Sequence, residues 1–207
     1  MDVQAKSWKA LTSMSLRNEL REPTDNATLD RTEYNWADWY DNVIPAANGI
    51  HANNPNTLIF FSGENFDTTL APVTVGANLG GGRVFDILKL KFPHRAVFEL
   101  HNYQNSAVNC SQILPGLYTG GYNAMNLSDT SVLNHAPVVL TEFGFGQDNT
   151  TYLLPYSECI REYLTTFPGG PGGWMQWVLA GSYYIRQGTQ DEDESWGTFF
   201  PSINASA

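Results

Sequence analysis

Five short runs of mostly apolar residues recur along the chain without strict polar alternation: Ala10–Leu16, Thr57–Phe61 (TLIFF), Ala96–His101, Pro137–Thr141 (PVVLT) and Trp174–Leu179. A strand that is apolar on both faces must be covered on both faces, which is the situation of parallel strands sandwiched by helices. Helical patterns fall between the runs. Thr32–Ala52 carries Trp36, Trp39, Tyr40, Val43 and Ile44 at helical spacing, the face expected to pack on the sheet. Val84–Lys91, after the Gly80–Gly82 run and before Pro93, reads as an amphipathic helix. A short helix is expected near Asp129–Asn134, a longer one over Tyr152–Phe167, and the segment Asn102–Gly121 reads as a long loop. The order β-α-β-α-β-(α)-β-α-β predicts an α/β protein with right-handed crossovers.

What stands at the ends of these runs narrows the choice. Asn18 and Glu19 follow the first, His101 and Tyr103 the third, Glu142 the fourth, and Trp177 lies in the last. In a (β/α)8 barrel the C-terminal strand ends converge on one mouth, where active sites form. An open doubly wound sheet is the competing arrangement, but Gly80-Gly81-Gly82 has neither the GxGxxG nor the P-loop pattern and does not follow a strand, so a nucleotide site is not supported. No G-x-S-x-G elbow is present, which argues against a serine hydrolase.

Two carboxylates facing each other across a cleft are the minimum for glycosidic bond hydrolysis, and their neighbours must differ so that one holds a proton and the other does not. Glu19 and Glu142 are the expected pair. Asn18 is placed to bond a sugar hydroxyl, His101 to contact the acid, and the Tyr103 hydroxyl to donate to Glu142. Trp177 offers a flat apolar face for a pyranose ring, with Trp174 as the competing platform. Charge agrees with a neutral substrate. The formal net charge is -10 with 11 basic residues, too few for phosphate recognition or an anionic membrane surface.

The segments SMSLRNELREP (Ser13–Pro23), FELHNY (Phe98–Tyr103), VVLTEFGF (Val138–Phe145) and GGWMQWVLAGSYYIR (Gly172–Arg186) occur in this order. They resemble strands four, six, seven and eight of glycoside hydrolase family 5, the cellulase family, whose Asn-Glu, His-x-Tyr, Glu and Trp positions match Asn18-Glu19, His101, Tyr103, Glu142 and Trp177. DESWG (Asp193–Gly197) is similar to the loop after the last strand in fungal members. The resemblance implies an incomplete (β/α)8 TIM barrel of about five β/α units, a single catalytic domain over 1–207 that lacks strands one to three and a final helix. It implies a retaining hydrolase of β-linked polysaccharide, with cellulose-type glucan first, Glu19 as acid/base and Glu142 as nucleophile. No metal or organic cofactor is implied, and the partner is a β-glycan, not nucleic acid or membrane. A full barrel would be a monomer. The family's Arg and His on earlier strands have no counterpart here, so the chain alone is expected to be poorly stable and inactive, or a carbohydrate-binding remnant. Pairing of two half-barrels is the rarer alternative.

Five N-x-S/T sequons, at Asn26, Asn109, Asn126, Asn149 and Asn204, point to a secreted glycoprotein, although Met1–Ala10 is too polar for a signal peptide. Cys110 and Cys159 are either two buried thiols or a disulfide. Glu64, after TLIFF, either lines a sugar subsite or is an ordinary acid. Glu99 is expected to be structural, and the acidic run Asp191–Glu194 a solvated loop and not a calcium site.

Overall fold

In the computed structural model, residues 5–22, 34–146, 150–167, 170 and 172–177 are described, together with the backbone of 182–186 and 189–193. Five strands, β1 (Ser13–Ser15), β2 (Leu58–Phe61), β3 (Ala96–Asn102), β4 (Val138–Phe143) and β5 (Gly173–Gln176), form one sheet in sequence order. All four pairings are parallel. A doubly wound sheet reverses its strand order at a switch point. This sheet does not, so it is the expected partial (β/α)8 barrel.

The first strand is shorter than its apolar run, and Val178 and Leu179 of the last run lie outside the described residues. Helix α1 (Trp36–Asn53) starts later than expected because Asn35 caps it, its Oδ1 accepting from Ala37 N–H at 3.0 Å and Asp38 N–H at 3.1 Å. Trp39, Val43, Ala47 and Ile50 form its buried stripe, and the Trp39 indole donates to the Ser62 carbonyl at 2.8 Å.

The connection from β2 to β3 departs from expectation. In place of a helix over Val84–Lys91 there is one turn, α2 (Ala71–Thr74), and two 3-10 turns, Ile87–Lys89 and Pro93–Arg95. Asn134 is the physical reason. Its buried side chain accepts from Ile87 N–H (2.8 Å) and donates to the carbonyls of Val73 (2.7 Å) and Phe85 (3.0 Å), so those groups are satisfied without helical bonds. The Asp129–Asn134 helix is also absent, because the N–H groups of Leu133 and Asn134 both donate to Thr74 O at 3.0 Å. Conversely, the expected loop Asn102–Gly121 contains a 3-10 turn, Cys110–Gln112, and helix α3 (Leu114–Gly120), with Pro115 in its first turn. Helix α4 (Pro155–Thr166) follows β4.

An antiparallel hairpin, β6 (Ser182–Arg186) and β7 (Thr189–Asp193), was not anticipated. It corrects the reading of the acidic run: the backbone of Asp191–Asp193 is strand, not loop, while Glu194 and most of the DESWG segment lie outside the described residues.

The core lies on the helix side of the sheet, where Ile59, Phe61, Phe98, Leu100, Val138 and Leu140 pack against Trp39, Phe85, Tyr122 and Ile160. Cys110 and Cys159 form a disulfide between the β3–α3 connection and α4 across 49 residues. Closing a loop of that length should contribute about 4 kcal/mol in the chain-entropy description. Urea unfolding with and without reductant checks this, and an unchanged midpoint would refute it.

Candidate active site

Strand β4 carries one extra residue relative to both neighbours. Leu140 pairs with Leu100 and Trp174, but Phe143 pairs with Asn102 and Gln176, three steps against two on either side. A bulge of this kind re-aims side chains. Strict alternation would send Thr141 and Glu142 to opposite faces. Both instead line the inner face of the sheet, with Ser13, Ser15, Asn18, Glu99 and His101, around a cavity of about 470 Å³. The bulge also brings Glu142 level with His101.

The expected residues converge here. His101 Nδ1 is 3.2 Å from Glu19 Oε1 and 3.8 Å from Glu142 Oε2. One carboxylate oxygen from each glutamate and one imidazole nitrogen lie within 4.8 Å of one another. The Tyr103 hydroxyl donates to Glu142 Oε2 at 3.0 Å. Burial, then the Glu142 carboxylate, push the Tyr103 phenol well above its usual range, so it remains a donor. Both glutamates keep about a quarter of their side chain exposed while His101 is buried. Asn18 is exposed at the cavity. Trp177 follows β5 directly, 46% exposed, and shares strand parity with the cavity-lining Met175. Trp174 sits on the other face, edge-on to Phe143 at 6.0 Å, so the two tryptophans are on opposite sides of β5.

Glu99 is buried in the same interior. Burial raises its pKa, offset by hydrogen bonds from Ser15 and Thr141. Glu64 lines an adjoining cleft with Tyr34 and Asp38 that shares Leu16 and Arg17 with the main cavity. Burial, then Asp38, push Glu64 up to about 7.

Residues 13–179 match the cellulase (glycosyl hydrolase family 5) family model, most of the chain. The chain belongs to glycosyl hydrolase family 5. A glycosyl hydrolase 5 family protein of Chamaecyparis obtusa is 29% identical over 205 residues, covering 90% of this chain and 31% of that protein. Among solved structures, a β-glucanase of Saccharophagus degradans in complex with cellotetraose superposes with a TM-score of 0.57 at 18% identity, covering 86% of this chain and 48% of that one. An endoglucanase of Pseudomonas stutzeri gives a TM-score of 0.54 at 13% identity, covering 86% and 49%. The chain thus spans about half the length of these structures and a third of the curated relative.

This family 5 site contains one residue that sequence reading passed over. Asp67 is fully buried, and its Oδ2 accepts the Glu19 backbone N–H at 2.9 Å and faces His101 Nε2 at 3.7 Å. A signal was available in Glu64-Asn65-Phe66-Asp67, where Asn and Asp cluster after an apolar strand and favour left-handed backbone. Glu19, His101 and Glu142 are also a group among the described residues whose spacing would admit a cation. In the same group Glu142 also accepts the Tyr103 hydroxyl.

Proposed function

We propose that this chain carries the chemical centre of a retaining O-glycosyl hydrolase acting on a β-linked, cellulose-type glucan. Glu142 attacks the anomeric carbon as Glu19 protonates the departing glycosidic oxygen. Water then cleaves the glycosyl–Glu142 ester, giving its proton to Glu19. The observation carrying this reading is the pair of carboxylate oxygens within 4.8 Å, each with a different neighbour. That separation suits direct attack, with carboxyl groups about 5–5.5 Å apart, better than the roughly 6.5–9.5 Å that an intervening water needs. The Tyr103 hydroxyl donates to Glu142 and orients that carboxylate, while the imidazole contact is shorter at Glu19. Asn18 and Trp177 hold the sugar, and Glu64 lines a continuing subsite. The disulfide and the sequons at Asn109 and Asn126 support a secreted glycoprotein.

Cellotetraose hydrolysis followed by proton NMR tests the reaction. The β-anomer should appear first and mutarotate afterwards. The α-anomer first would overturn the retaining assignment. A second reading, a sugar-binding remnant, draws on β1 and β5, each of which pairs on one side only among the described residues. It is favoured if cellotetraose binds, survives Glu142→Gln, and is turned over by neither protein.

A further inference from the structure

Among the described residues, four that are not glycine have left-handed backbone: Glu19 (φ 48°), Asn65 (φ 52°), Phe66 (φ 61°) and Asp67 (φ 56°). Such a conformation is costly for a residue with a Cβ and persists only where surroundings impose it. The four are not independent. The Glu19 N–H donates to Asp67 Oδ2 (2.9 Å), and the Phe66 N–H donates to Leu20 O (3.1 Å), so the two left-handed segments clamp each other. His101 N–H donates to the Asp67 carbonyl at 2.9 Å, tying the same turn to β3. Gly63 permits the approach: a Cβ there would lie 2.0 Å from the Thr69 carbonyl oxygen. One buried aspartate therefore touches both the peptide that aims Glu19 and the ring that contacts its carboxylate.

We propose that Asp67 is a positioning residue that aims the acid/base Glu19 by holding its left-handed peptide. This rests on the assignment of Glu19 as acid/base. Asp67 Oδ2 also faces His101 Nε2 at 3.7 Å, beyond hydrogen-bond distance, while His101 Nδ1 lies 3.2 Å from Glu19 Oε1. The anion at Asp67 is costly: burial lifts it to about 7, against the Glu19 N–H and His101, which lower it.

The test uses the full chain and two substituents on cellobiose. Breaking a bond to a good leaving group, 2,4-dinitrophenolate, needs no acid, whereas a poor one such as methoxide does. Asp67→Ala should lower kcat/KM for the methyl cellobioside by about 100-fold, the cost of misplacing a catalytic group by about 1 Å. For the dinitrophenyl cellobioside the loss should be under about threefold, and Asp67→Asn, which still offers an oxygen to the Glu19 N–H, should recover part of the difference. Equal losses on both substrates, or none, overturn the proposal. Should the unaltered chain turn over neither substrate, the functional reading fails separately, and hydrogen exchange at the Glu19 amide still decides the role of Asp67. That amide should exchange slowly in the unaltered chain and at least about tenfold faster in Asp67→Ala. Unchanged exchange overturns the proposal.

Discussion

Glu142→Gln should lower turnover of a β-1,4-glucan by at least about 10⁴-fold, the scale seen when a nucleophile is removed from a group of residues acting together. The amide keeps the volume of the carboxylate and can still accept the Tyr103 hydroxyl bond, so the cavity changes little. What it loses is the oxygen able to form the glycosyl ester. Affinity for cellotetraose should change by less than about tenfold, because ground-state contacts are largely retained. The diagnostic companion is Glu142→Ala with azide. Azide fits the space of the missing carboxylate, attacks from the same face and leaves an α-glycosyl azide. Azide-dependent turnover with that product supports the nucleophile assignment, and turnover in Glu142→Gln close to that of the unaltered chain would end it.

The second large effect falls on stability. Phe98→Ala should destabilise the fold by about 3–5 kcal/mol, the range for deleting a buried aromatic side chain. Phe98 is fully buried in β3, paired with Phe61 on one side and Val138 on the other, and its ring packs against Phe85 at 6.0 Å. One and three positions further along β3 are Glu99 and His101, which face the opposite side of the sheet. Removing the ring therefore loosens the strand that presents the imidazole. Urea unfolding checks the magnitude. A loss below about 1 kcal/mol would mean that the outer face of the sheet is not the principal core.

Much of the site was readable because each functional group sits at or next to the end of an apolar run. TLIFF, FELHNY and PVVLTEF signal strands by composition alone, and the polar residues at their ends have few positions to occupy other than a common mouth. Helix α1 was readable for a similar reason: Trp36, Trp39, Tyr40, Val43 and Ile44 recur at helical spacing, and of these Trp39 and Val43 are buried, with Ala47 and Ile50 completing the stripe. The Val84–Lys91 segment was not. Its apolar spacing permits a helix, but Asn134, 47 residues away from Ile87, supplies the hydrogen bonds that a helix would otherwise supply. Local patterning cannot register a competitor that remote. The same holds for Asp67, whose residue type suggests a turn and whose partners, Glu19 and His101, are set only by tertiary contact.

The amino-acid order alone settled that this is an α/β chain with parallel strands, which residues are acidic and aromatic at the strand ends, and which family motif they compose. The tertiary structure decided where those side chains point. Strand periodicity sends alternate residues to opposite faces, so Thr141 and Glu142 cannot both face inward on a regular strand. The one-residue bulge in β4 removes that restriction, and it exists only because β3 and β5 hold the flanking registers. A pairing between strands is a property of the sheet, and no single segment encodes it.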